Sequence, residues 1–209
     1  MNEPFFRLDI ARVQALRKQT LTVVLFAGLA VCLLGQARWR PGSAAHELIE
    51  WLGLLLIVIC IIGRTWCSLY IGGRKDTELV TLGPYSISRN PLYFFSTIGA
   101  AGIGAQFGSV VLAVIAALIS IAIFCLVIRQ EEQLLSDLHG APYDDYRQRV
   151  PFLVPRLSLW KDADVLEVRP PRIVMTFIDA SLMLLAVPIS ELIEYLQERA
   201  ILPVFFLLP

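Results

Sequence analysis

The strongest constraint on this chain is a run of 35 residues, Phe94 to Ile128, that carries no charged side chain. Two short helices crossing a hydrocarbon core of about 30 Å account for such a run. Helix satisfies every backbone polar group locally, which lipid demands. Gln106-Phe107-Gly108 marks a turn between spans Leu92–Gln106 and Ser109–Ile128. A hairpin of that kind returns the chain to the membrane face it left. Polar clusters flank it on both sides. The first, Leu79 to Tyr93, contains Gly83-Pro84-Tyr85 and Arg89-Asn90-Pro91-Leu92-Tyr93; the second begins at Glu131-Glu132 and continues from Gly140 through Tyr143, Tyr146 and Arg149 to Pro151. The hairpin brings both clusters to one face, where function is expected.

Composition agrees with a membrane bundle. Hydrophobic residues make up 56% of the chain and the mean hydropathy is +0.66, values that go with several lipid-embedded segments. Eighteen basic and eighteen acidic residues cancel, so no basic field exists for nucleic acid, and none is expected as a partner. The expected partner is the lipid bilayer itself. Cys32, Cys60, Cys67 and Cys125 lie in apolar runs without C-x-x-C spacing and read as small buried hydrophobes. His46 and His139 are too few and too isolated for a histidine metal site, so no metal is expected.

The fold class is all-α, a polytopic membrane helical bundle of about five transmembrane helices with a cytosolic N-terminus. Residues 1–75 hold an interfacial helix (1–19), a first span near Thr20–Gly35, a polar loop Gln36–Glu47, and a second span from Leu48 to about Gly63 with room to extend to Ile71. Gly72 to Asp76 supply a glycine stop and a charged turn. Residues 76–157 form the core around the hairpin, with Arg129–Leu138 an amphipathic extension and Asp144–Pro155 a polar surface segment. Residues 158–209 hold an irregular stretch broken at Pro170-Pro171, a fifth span Ile173–Ile189 that includes Asp179, an amphipathic helix Ser190–Arg199 and an apolar tail. Small residues in the third span, among them Gly99, Gly102 and Gly104, place it centrally, because they let helices approach closely in lipid. With the N-terminus inside, fifteen basic residues fall on the cytosolic side; only Arg38, Arg40 and Arg199 fall outside. Both clusters therefore face the cytosol.

Pro84 and Pro91 restrict the backbone on either side of Arg89, and Asn90 is placed to cap the helix that Pro91 begins. A helix N-terminus beside Arg89 favours a carboxylate or phosphate. Glu131, Leu134, Leu135 and Leu138 share one helical stripe, which points Glu131 inward and sets Glu132 on an adjacent edge. The carboxylates suit an ammonium group and ribose hydroxyls, or an internal ion pair with Arg89 or Arg149; the two readings can coexist.

The ordered series Gly83-Pro84-Tyr85, Arg89-Asn90-Pro91-x-Tyr93, Glu131-Glu132 and Gly140-x-x-Tyr143-x-x-Tyr146-x-x-Arg149-Val150-Pro151 resembles the isoprenylcysteine carboxyl methyltransferase family and its relatives, the phospholipid methyltransferases. The resemblance covers roughly residues 76–157. It implies a membrane enzyme of the bacterial inner membrane that transfers a methyl group from S-adenosyl-L-methionine at the cytosolic face. It assigns cofactor contacts to Tyr85, Arg89, Asn90, Pro91, Tyr93, Glu131 and Glu132, and acceptor contacts to Tyr143, Tyr146 and Arg149. Arg89 and Arg149 are the expected catalytic pair. The acceptor is a lipophilic small molecule or lipidated group, an isoprenylcysteine-like carboxylate or a lipid amine. Two positions depart from the pattern. Asn90 stands where many members have histidine, and an amide cannot titrate. Phe95 replaces a glycine common two residues after the tyrosine.

Two other readings compete. Sterol-type reductases carry a similar arginine-x-proline-x-tyrosine segment and use NADPH. A non-enzymatic membrane scaffold would leave the clusters as ion-paired caps. A transporter is disfavoured, because no charged pair is expected at mid-membrane.

Overall fold

The computed structural model describes residues 33–39, 41–72 and 78–208. Segment 1–19, most of the first expected span and the charged turn at 73–77 lie outside the described residues. Gly35, expected to close that first span, instead opens a short strand.

Helix α1, Ala44–Ile71, begins where the Ser43 hydroxyl accepts the His46 amide. It therefore starts four residues before the expected span and runs its full extended length. A single turn, α2 (Pro84–Ile87), and α3 (Pro91–Ala105) each open on a proline, whose missing N–H would have had no helical partner there. Helix α4, Val110–His139, merges the fourth span and its amphipathic extension into one rod. At 1.5 Å per residue it is about 45 Å long, so its last turns reach beyond a bilayer core.

The segment expected as polar surface, Asp144–Pro155, is instead entered by a helix, α5 (Ala141–Arg149), after Gly140 turns the chain at φ 58°. Pro170-Pro171, expected to break the chain, open α6 (Pro170–Ser181), which passes through a tighter turn at Leu182–Leu185 into α7 (Ala186–Glu198). Among the described residues the other regular structure is a single 3-10 turn at Leu157–Leu159 and a parallel pair, β1 (Gly35–Ala37) with β2 (Phe206–Leu208), in register Gly35 to Phe206.

Among the described residues three helical stretches are long and apolar enough to cross a membrane: Ala44–Ile71, Val110–His139 and Pro170–Glu198; Pro91–Ala105 is shorter. Helix α3 lies between α1 and α4, while α6 packs on the other side of α1. Small residues produce that central position. A Cβ added at Gly102 would meet the Gly53 carbonyl and Ile57, and one at Gly99 would meet Cys60 and Met183. The glycine that the family pattern places at 95 has a counterpart across the interface: the Phe95 ring sits in the notch of Gly63 on α1. Outward faces carry Trp51, Leu55, Ile62, Leu118 and Leu126, all exposed, as a lipid contact requires. Cys60, Cys67 and Cys125 are free thiols.

Charges from two helices meet near one end of the bundle. Arg64 of α1 and Asp179 of α6 form an ion pair at 2.6 Å within the spans, and Arg64 also donates to the Ser96 hydroxyl of α3. The pair lies about 10 Å from the Ile71 end of α1. It ties three helices together below the polar clusters.

Candidate functional site

The two clusters meet. A cavity with about 610 Å³ of empty space, its open mouth included, is lined by Tyr85, Arg89, Asn90, Pro91, Tyr93, Glu131, Glu132, Tyr143 and Tyr146. Ile71, Leu79, Val80, Leu92 and Leu135 give it apolar walls. Glu78, a third carboxylate on the rim, was not singled out by sequence; it immediately precedes the first cluster, and spacing alone carries no sign of its role.

Local structure explains how the groups converge. The segment from Arg89 to Pro91 is pinned at several points by the chain after α5. The Arg89 amide donates to Pro151 O at 2.9 Å, and Asn90 Nδ2 donates to Phe152 O at 2.9 Å. Asn90 therefore does not cap α3 with its side chain, as expected, but fastens the start of α3 to the strand-like chain beyond Val150. The Tyr146 hydroxyl donates to Tyr85 O at 2.7 Å and locks α5 onto α2.

The carboxylates are oriented separately. Glu131 Oε1 accepts from the Tyr93 hydroxyl at 2.9 Å. Glu132 Oε1 lies 2.8 Å from Arg89 Nε, both side chains being about nine-tenths buried. The internal pair left open by sequence is thus Arg89 with Glu132. Arg89 also donates to Arg147 O and lies over the Phe152 ring. The inward row of α4 is Ile128, Glu132 and Leu135, while Leu134 and Leu138 are exposed. The expected stripe was rotated by about one residue. Docking of α5, whose Tyr143, Tyr146 and Val150 pack with Leu79 and Leu135, decides which edge of α4 is covered.

Arg149 is not drawn into the cavity. It is exposed, and its Nε donates to Asp145 O at 3.1 Å on its own helix. Arg147 takes the place near the acidic pair, 3.8 Å from Glu132 Oε2. Helical spacing alone does not separate the two, since 147 follows Tyr143 by four residues and 149 follows Tyr146 by three.

Burial raises three of the four tyrosines that line the site. Tyr143 is pushed up to about 12, chiefly by desolvation and then by the Glu132 charge. Tyr146 and Tyr85 are raised by burial and by acidic neighbours. Their phenols stay protonated near neutral pH and serve as donors, not bases. Three polar atoms of the lining, Tyr85 Oη, Arg89 Nε and Glu132 Oε1, are buried without a hydrogen bond aligned to them. A native fold leaves few such groups. All three line one cavity, and two of them, Arg89 Nε and Glu132 Oε1, meet each other as an ion pair.

Residues 48–141 match the family model described as phospholipid methyltransferase. The chain is also 31% identical over 125 residues to protein-S-isoprenylcysteine O-methyltransferase B of Arabidopsis thaliana, covering 55% of this chain and 64% of that one. A longer match, 36% over 187 residues, joins it to the nickel-cobalt-cadmium resistance protein NccN of Alcaligenes xylosoxydans xylosoxydans, with 90% of this chain and 87% of that protein covered. This chain belongs to the phospholipid methyltransferase family of membrane methyltransferases. A second relative with a resistance name, the cobalt-zinc-cadmium resistance protein CzcN of Cupriavidus metallidurans, is 39% identical over 139 residues, 66% of this chain and 63% of that protein. No solved structure matches the chain at a significant level. Within the family region fall all seven expected cofactor residues, Tyr85 to Glu132; Tyr143, Tyr146 and Arg149 lie just beyond it.

Proposed function

We propose that this family member is an S-adenosyl-L-methionine-dependent methyltransferase acting on a lipophilic acceptor at the cytosolic face of a bacterial inner membrane. The observation that carries the reading is the convergence on one cavity of the buried Tyr85 hydroxyl, which lacks an aligned hydrogen bond, and the buried Arg89–Glu132 ion pair. The donor set suits the cofactor: carboxylates at Glu131 and Glu132 for its ammonium and hydroxyl groups, a phenol donor at Tyr85, and apolar walls for its adenine. When bound, it supplies a methyl group already activated by a sulfonium.

What remains for the protein is alignment and exclusion of water. Tyr93 aims Glu131, and Arg89 with Arg147 fixes Glu132. Leu92 and Leu135 keep the reacting space dry. Protonated tyrosines and the non-titrating Asn90 offer no base; an isoprenylcysteine-like carboxylate needs none, whereas a lipid amine would pass its proton to a lining carboxylate such as Glu78. Helix α3, at 15 residues, spans only about 22 Å. That falls short of a core of about 30 Å, a geometry suited to lateral arrival of an acceptor from lipid. Arg149, on the exposed side of α5, is assigned to the acceptor's anionic end.

The relatives named for nickel, cobalt, cadmium and zinc resistance support placing this activity in a cell's defence against such metals, through methylation of a membrane component. Calorimetric titration of detergent-purified protein with S-adenosylhomocysteine and with NADPH tests the cofactor. Binding of the first alone, weakened in Glu131→Ala and Glu132→Ala, is expected. NADPH binding alone would move the chain to the reductases, and binding of neither by folded protein would leave the scaffold reading.

A further inference from the structure

At the other end of the bundle, about 30 Å along α1 from the cavity, a second polar group is buried. His46 is 1% exposed, and both its ring nitrogens lack an aligned hydrogen bond. Its Nε2 faces two carboxylates, 3.0 Å from Glu194 Oε1 and 3.3 Å from Glu50 Oε1. One candidate ligand atom from each of the three residues lies within 4.8 Å of the others. We propose that His46, Glu50 and Glu194 form a binding site for one divalent transition-metal cation of the zinc class.

Geometry, charge and donor type converge on this assignment. His46 and Glu50 stand four residues apart on α1 and share a face, and α7 brings Glu194 against them. A tetrahedral centre with ligands at 2.0–2.2 Å sets its ligand atoms about 3.3–3.6 Å apart. The two separations from His46 Nε2, 3.0 and 3.3 Å, already lie close to that, and the whole set, within 4.8 Å, contracts onto an ion by side-chain rotation. A neutral imidazole with two ionised carboxylates sums to a double negative charge, which a dication cancels; an imidazolium in the same place cancels half. Glu47, Glu191 and Glu198 act electrostatically on the same two carboxylates and add to the attraction for a cation. One imidazole nitrogen among oxygen donors favours zinc, cobalt or nickel over magnesium or calcium.

The surroundings hold the ring in place. Gly108, at φ 63°, turns the α3–α4 connection directly over the imidazole, where a Cβ would strike the ring. A cavity lined by His46, Phe107, Glu194 and Gln197 opens beside the cluster and leaves room for a water as the remaining ligand. The expectation of no metal site rested on the isolation of His46 in sequence. Glu194 lies far along the chain, and only the docking of α7 on α1 joins them. Such a centre would clamp the last helix to the first described span.

The test is titration of the detergent-purified full-length protein with Zn²⁺ by calorimetry and with Co²⁺ by visible absorption. One ion per chain is expected, with ligand-field bands from cobalt and a rise in Tm with zinc, because a ligand that binds only the folded state stabilises it. Glu50→Gln and Glu194→Gln keep the side-chain shape and are expected to weaken Zn²⁺ binding roughly tenfold or more, with S-adenosylhomocysteine affinity unchanged. Absence of saturable Zn²⁺ binding by the wild type would overturn the proposal, as would stoichiometric binding that both variants retain unaltered. Should Glu194→Gln fold poorly, Glu50→Gln, at a more exposed carboxylate, gives the same reading. Loss of S-adenosylhomocysteine binding with zinc binding intact would count against methyl transfer and not against this site.

Discussion

Arg89 Nε and Glu132 Oε1 face each other at 2.8 Å across the α3–α4 hairpin, buried and without hydrogen-bond alignment. One charge comes from the segment before the third span and the other from the turn after the fourth, so the pair closes the hairpin at its polar end. Each partner neutralises the other while leaving hydrogen-bonding capacity toward the cavity.

Removing one member strands the other. Glu132→Ala is expected to destabilise the protein by roughly 3 kcal/mol, because an unpaired buried guanidinium remains. The double variant Arg89→Met with Glu132→Leu should recover most of that loss yet fail to bind S-adenosylhomocysteine. Denaturation in detergent beside calorimetry separates the two effects; a double variant as unstable as the single one would refute the pairing argument.

Tyr93 acts through Glu131. Tyr93→Phe deletes one hydrogen bond worth about 1 kcal/mol and is expected to weaken S-adenosylhomocysteine binding about fivefold with the melting temperature little changed. An unchanged dissociation constant would release Glu131 from the cofactor role.

The two arginines of α5 should behave differently. Arg147→Ala loosens Glu132 and is expected to raise the S-adenosylhomocysteine dissociation constant several-fold. Arg149→Ala should leave it alone and raise KM for the acceptor. The reverse pattern would exchange their assigned roles.

Alkaline pH should unfold the site before it alters the chemistry. Folded-state Tyr143 titrates near 12, above its unfolded value near 10. The folded state therefore holds the proton longer, and its stability is intact below about pH 10 and lost as pH rises toward 12. Thermal melts from pH 9 to 11.5 should show a falling Tm, with a shallower fall in Tyr143→Phe. A flat profile in the wild type would contradict burial of the phenol.

Close packing of α3 on α1 predicts a steep penalty at its centre. Gly102→Ala places a methyl group 2.7 Å from the Gly53 carbonyl. Backbone must shift to admit it, at about 1–3 kcal/mol. Melting of the variant in detergent measures this directly.

The sequence by itself determined the membrane class, the hairpin and the series of residues that meets at its open end. Charge exclusion from lipid and the need to satisfy the backbone are local rules, so Phe94 to Ile128 could be read without tertiary knowledge. Pro91 likewise marked a helix start, because its ring geometry acts locally. Tertiary structure decided the rest. Which edge of α4 is buried, and hence that Glu132 rather than Glu131 meets Arg89, depends on where α5 docks. The choice between Arg147 and Arg149 depends on the same contact. His46 and Glu194 are strangers in sequence and neighbours in space for a similar reason: α7 packs beside the start of α1. Periodicity shows that a helix has faces, but only its neighbours choose which face is inside.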